Sequence, residues 1–305
     1  MAAMTRVEPV PARWRREAFR FLAAGGGDDP LADARAAHLA CLAESGNGSP
    51  GRLWWALDRQ CVAAAMIVAH PGRTGFLFHC PLGAPGVDDG ALGLVVRAAT
   101  GQAMMEGMYF VQASAPCDDP RAAEAAERWG YRFAAEFLHL SRDLFGSVPP
   151  PGPAELSWRK YGQFTEQELG ELILSTYVAS LDCPLLLPLR PMAEVIAGHK
   201  AGGEFRPDSW WIAHWQGAPA GCILVNDRPE ESAAEVVYLG VRLEHRGRGL
   251  AGRMLLRAAA GAAARGVRRL ILAVDARNAP ARRAYEKQGF QFARRKWVFA
   301  AIRGG

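Results

Sequence analysis

No stretch of this chain of 305 residues approaches the roughly 20 consecutive apolar residues of a bilayer-spanning helix, so a helical membrane protein is not expected. The opening "MAAMTRVEPVPARWRREAF" has no apolar core of the kind a secretory signal carries, and the expectation is a cytoplasmic chain. Cysteine is sparse. Cys41, Cys61, Cys80, Cys117, Cys183 and Cys222 are scattered, with no Cys-x-x-Cys pair and no histidine at zinc spacing. That argues for reduced thiols, and no metal is expected. Neither sign of charge dominates, since 36 Lys and Arg face 31 Asp and Glu for a net +5.

What is there is unevenly placed. Between 242 and 297 fifteen basic side chains face only Glu244, Asp275 and Glu286, so this segment meets something anionic or is a solvated Arg-rich surface. The length suggests two domains. The clearest break is "FGSVPPPGPAELS" (145–157), whose prolines favour an extended linker over 148–156 between domains 1–147 and 157–305. Alternating apolar patterns predict strands at "RLWWALD", "CVAAAMIVAH", "TGFLFHC" and "MYFVQASA" in the first half, with helices near 13–23, 30–43, 88–105 and 120–129. The second half predicts helices near 165–179, 191–200, 248–265 and 279–288. Its strands are "WWIAHWQ", "PAGCILVND", "AEVVYLGV", "RRLILAVDA" and a final one from 290. The two halves share this order, and "ERWGYRFA" (127–134) lies over "EKQGFQFA" (286–293), which marks a domain duplication. The predicted class is α+β, two tandem domains each with a mostly antiparallel sheet flanked by helices.

"LEHRGRGLAGRMLL" (243–256) sets three glycines at the mouth of a predicted helix, where each costs roughly 1 kcal/mol against alanine. Gly247, Gly249 and Gly252 spell the dinucleotide fingerprint, with Asp275 ending the next strand. Against it, five residues separate Val241 from the first glycine, and too little chain follows Asp275 for a doubly wound sheet. A nucleic-acid contact of the Arg-Gly kind would need a disordered repeat, which a single "RGRG" is not. The third reading is a pyrophosphate cradle: small residues over Arg246, Gly247, Arg248, Gly249, Leu250, Ala251 and Gly252 let free N–H groups at the helix start donate, and the arginines add charge. Leu250, Met254, Leu255 and Ala258 then face the core. An Arg-rich helix without a ligand stays open on the loop alone.

Downstream, "VDARNAPARRAYEKQGF" (274–290) sets Asn278 past a strand, Tyr285 on the next helix, and Gly289-Phe290 at its end. Together with the loop and "VVYLGV", this resembles the GNAT superfamily of acetyl-CoA-dependent N-acyltransferases, over 208–300 most of all and over 50–142 mainly in topology. The resemblance implies a V-shaped opening between two central parallel strands that takes the pantetheine arm. The backbone of Leu239, Gly240 and Val241 would pair with the arm, loop 246–252 would hold the pyrophosphate, Asn278 would contact the arm, and Tyr285 would sit by the sulfur. The implied reaction moves an acetyl group to the primary amine of a small molecule or peptide.

For that chemistry Tyr285 is the candidate acid that protonates the departing thiolate, the plainer reading being a packed tyrosine. Glu235 is the candidate base, the plainer reading an exposed strand-end carboxylate. His245 fits a capping or solvated role. Asp182 and Cys183 follow the domain's first helix, where the family usually builds its acceptor pocket. In the first repeat Asp119 stands for Asn278, Ala126 for Tyr285, and "GVDDGALG" for the loop. Its carboxylates would repel a pyrophosphate, so a silent copy is expected. A non-catalytic acyl-CoA sensor or scaffold is the competing function. A nucleic-acid partner lacks a reading helix or stacking motif.

Overall fold

The computed structural model of the protein describes residues 5–27, 29–45, 52–144, 156–187 and 189–304. The linker expected over 148–156 lies outside these, apart from Leu156, which opens a strand. No helix among the described residues is long and apolar enough to cross a membrane.

The chain divides into two compact units whose boundaries differ from those of the repeat. One runs through Ala134 and takes in the chain from Trp297 onward; the other is Ala135–Lys296. The first unit holds β1 (Arg6–Pro9), α1 (Arg15–Ala24), α2 (Ala32–Ser45), β2 (Arg52–Asp58), β3 (Gln60–His70), β4 (Thr74–His79), α3 (Asp89–Met105), β5 (Phe110–Ala115) and α4 (Pro120–Arg128). Neighbours pair antiparallel except β4 and β5, which run parallel over Thr74–Phe76 and Phe110–Gln112. Its last strand comes from the far end of the chain: Trp297–Ile302 pairs antiparallel with β5. Leu92, Val95, Val96 and Ala99 of α3 pack against Ile67 and Val111 in its core.

The second unit receives the reciprocal strand. β6 (Arg132–Asp143), read in the sequence as the end of the first domain, pairs through Phe137–Asp143 with β11 (Arg269–Asp275). β7 (Leu156–Lys160), α5 (Glu166–Thr176), α6 (Met192–Lys200), β8 (Trp210–Trp215), β9 (Ala218–Arg228), β10 (Ala233–Val241), α7 (Leu250–Ala264), α8 (Ala279–Lys287) and the start of β12 (Gln291–Ile302) complete it. The strand order is β6-β11-β10-β9-β8-β7, antiparallel throughout except for β10 and β11. Leu250, Met254, Leu255 and Ala258 of α7, the face expected from the sequence, are buried on one side of this sheet. On the other side Leu169, Leu172 and Ile173 of α5 and Ile196 of α6 meet Trp210, Ile212 and Leu224. A capping box starts α5: Thr165 Oγ1 accepts from the Glu168 amide, and Glu168 Oε2 accepts from that of Thr165.

Candidate active site

The pairing registers of the second unit dictate an opening. β10 and β11 are partners only over Ala233–Glu235 and Arg269–Ile271. Beyond that point β10 stays with β9 as far as Val241 opposite Gly221, and β11 stays with β6 as far as Asp275 opposite Phe137. A bulge between Val236 and Tyr238 turns β10 away at the point of separation. The backbone of Leu239, Gly240 and Val241 therefore lines one arm of a V. Gly240 is required by closeness, because a Cβ there would fall 2.5 Å from Thr176 Oγ1.

At the mouth of the V, Gly247 and Gly249 take left-handed φ of 77° and 74°, which an L side chain resists. A Cβ on either would meet nothing within 4 Å, so both border open space. Gly249 is the N-cap of α7 and no side chain caps it, which leaves the first-turn amides of Leu250, Ala251 and Gly252 available to an anion. The equivalent helix of the first unit is closed by its own carboxylate: Asp88 accepts from the amides of Gly90 (2.8 Å) and Ala91 (2.9 Å).

Arg248 is exposed beside these amides, but Arg246 is turned elsewhere. Its guanidinium donates to the carbonyls of Val241 (3.1 Å), Thr176 (2.8 Å), Val178 (2.9 Å) and Ala179 (3.1 Å). The sequence reading gave this side chain to the pyrophosphate. The carbonyls left open at the end of α5 claim it instead, so Arg246 shapes the loop through its side chain.

Tyr285 projects from α8 and is 7% exposed, packed near Phe290. Burial raises its phenol pKa, and the nearby Asp182 carboxylate adds to the rise. No hydrogen bond engages its hydroxyl among the described residues. Tyr238, also nearby, differs: Thr176 Oγ1 gives its one proton to the Ile173 carbonyl, so Tyr238 must donate its own to Thr176 at 2.5 Å. Asn278 caps α8, its Oδ1 accepting from the Ala281 amide at 3.3 Å, just as Asp119 caps α4 in the first unit. Its side chain lies beside the Asp182 carboxylate and favours the charged form of that group. Cys183 is buried and its thiol is pushed up to about 12, chiefly by burial. Glu235 stands where the V closes, held by Arg228 at 2.7 Å. At about 3.3 Å per residue it lies about 13 Å along the strand from Leu239. Among the described residues His245 caps no helix, and its Nδ1 is buried without a partner.

Sequence reasoning missed the hub of the site. Asp275, weighed only as the acid ending the strand after the glycine fingerprint, is fully buried and accepts from the Cys183 amide at 3.1 Å and from Arg277 Nη2 at 2.7 Å. Its position at a strand end beside "DAR" was the available signal.

Residues 179–290 match the family model described as Acetyltransferase (GNAT) family. The matched residues lie within the second unit. A mycothiol acetyltransferase from Beutenbergia cavernae is 30% identical over 201 residues, which cover 57% of this chain and 61% of that relative, so the chain spans less than two thirds of its length. A GCN5-related N-acetyltransferase from Sphaerobacter thermophilus has the same fold, with 19% identity, a TM-score of 0.65, and 99% and 96% of the two chains covered. A tandem GNAT protein from the clavulanic acid biosynthesis pathway aligns over 99% of both chains at 18% identity and a TM-score of 0.52. The doubled GNAT plan thus extends along the whole chain as fold, while the sequence match is confined to part of it.

Proposed function

We propose that the protein is an acetyl-CoA-dependent N-acyltransferase that works in its GNAT domain and moves an acetyl group to a primary amine. The observation that carries this is the V between β10 and β11 with the uncapped start of α7 at its mouth. A pantetheine arm needs backbone partners in an extended slot, and a pyrophosphate needs unspent amides. Leu239, Gly240 and Val241 supply the first. Gly247, Arg248, Gly249, Leu250, Ala251 and Gly252 supply the second, with Arg246 holding the loop in shape. Asn278 sits between the slot and α8.

Acyl transfer needs a neutral amine, an acid for the leaving thiolate, and a group to take the proton that the ammonium gives up. Tyr285 keeps its proton at neutral pH because its surroundings disfavour the phenolate, and its hydroxyl is uncommitted; it is the acid. Glu235 is engaged by Arg228 at the closed end of the V, which weighs against the base role given to it from sequence.

The first repeat is read as silent for the same physical reasons. Asp88 already fills the amides at the start of α3, and His79, at the end of β4, stacks edge-on to Trp129 at 5.0 Å. Incubating the full chain with acetyl-CoA and a panel of primary amines, with detection of released thiol, tests the reading. Amine-dependent thiol release is expected. Acetyl-CoA binding with no release to any amine would instead favour a sensor or scaffold.

A further inference from the structure

We propose that Asp182 is the catalytic base of the GNAT domain, taking a proton from an acceptor that arrives as a primary alkylammonium ion. The inference rests on the acyltransfer reading above and assigns it a residue and a substrate charge. Asp182 Oδ1 accepts from the backbone amide of Asp275 at 3.1 Å, which pins the carboxylate to the last residue of β11, at the open end of the V. Asn278, whose Oδ1 is spent on its helix cap, lies beside the same carboxylate and favours its charged form. One fixed backbone donor leaves lone pairs free on a carboxylate.

The charge around it is one-sided. Asp275 is matched by Arg277, whereas Asp182 makes no ion pair among the described residues. Asp275, Cys183, Tyr177, Tyr238 and Tyr285 lie within electrostatic reach of Asp182, and none of them is a cation. Arg277 is drawn onto Asp275, and Arg190 lies toward Tyr177 and Glu194. Asp182 nevertheless has an exposed side. An accessible carboxylate without a cation, beside a phenol that holds its proton, is matched by a cationic ligand. Restricted hydration, and then the Asp275 carboxylate, raise its pKa in the direction a base requires.

The backbone is built around this residue. Ala179 and Cys183, on either side of it, take left-handed φ of 51° and 43°, conformations that cost a side chain energy. Each is held from outside the segment, Ala179 by Arg246 through its carbonyl and Cys183 by Asp275 through its amide.

The step balances as follows. The ammonium gives one proton to Asp182, and the neutral nitrogen forms a bond to the thioester carbonyl carbon. The C–S bond breaks, and the thiolate takes the proton of Tyr285. The proton that nitrogen sheds as the amide forms restores the phenol, and the one on Asp182 leaves by its exposed side.

Asp182→Asn tests this, with benzylamine, which is protonated at pH 7, compared with benzhydrazide, which is not. We expect kcat/KM for benzylamine to fall by about 10²-fold and that for benzhydrazide by only a few-fold. Acetyl-CoA affinity by calorimetry stays at the wild-type value, and Asp182→Glu recovers part of the benzylamine rate. Equal losses with both nucleophiles, no loss with benzylamine, or loss of acetyl-CoA binding would each overturn the assignment. A wild-type protein that acetylates none of the amines overturns the underlying reading itself.

Discussion

Two tyrosines stand close to the same V, and their hydrogen bonds separate their roles. Tyr238 is committed to Thr176, which is committed to Ile173. Tyr285 makes no hydrogen bond through its hydroxyl among the described residues. Removing only its hydroxyl, as Tyr285→Phe does, should leave acetyl-CoA affinity within a few-fold while kcat with a good acceptor drops by about 10²-fold. A tyrosine that only packs would lose about 1 kcal/mol of stability and keep its turnover, so melting temperature, affinity and kcat measured on the two proteins discriminate. A second titrating residue bears on stability. Burial first, then Arg294 and Lys296, lowers the His139 imidazole from 6.5 to about 4. The unfolded chain therefore binds a proton that the folded one refuses between those values. His139 contributes its stability fully above pH 6.5, and the contribution is lost as pH falls toward 4. The melting temperature of wild type should drop more steeply than that of His139→Gln between pH 7 and 4.5; parallel curves would refute this.

At the scale of elements, two helices in equivalent places begin differently. α3 is capped by Asp88, and α7 begins at a left-handed glycine with no side-chain cap. That contrast was legible in the sequence, because "GVDDGALG" and "RGRGLAG" differ in just the residues that decide who occupies the first-turn amides. The core face of α7 was legible too, since 250, 254, 255 and 258 follow the helical period. Side-chain direction was not. Arg246 lies in a basic loop, and nothing in its neighbours' identities says that the carbonyls of Thr176, Val178 and Ala179, some 70 residues upstream, end within its reach. Nor could spacing show Asp182 beside Asp275, since the contact depends on left-handed φ at Ala179 and Cys183, non-glycine residues with no propensity for it. Local propensity specifies the elements. Asp182 and Arg246 lie in loops between them, whose course is set by long-range hydrogen bonds.

At the scale of the whole molecule, the duplicated sequence and the compact units part company at one strand. "ERWGYRFA" and "EKQGFQFA" prescribe the same turn and strand in each half, and the apolar pattern does not encode which sheet receives it. Each unit in fact takes its edge partner from the other half: Phe137–Asp143 lies on β11, and Trp297–Ile302 lies on β5. We therefore expect the doubled chain not to divide at the Pro-rich stretch. A segment 151–305 would carry the loop, Asn278, Tyr285 and Asp182, yet it would lack the strand that holds β11, on whose last residue Asp182 is pinned. An uncovered strand edge exposes a row of unpaired amides and carbonyls and favours association. Segments 1–150 and 151–305, each produced alone, should be aggregated or lack a cooperative thermal transition. Produced together, they should recover a folded complex that binds acetyl-CoA as the full chain does. Size-exclusion chromatography with calorimetric titration reads both outcomes. A monomeric 151–305 with full acetyl-CoA affinity would show that β6 is dispensable to the site.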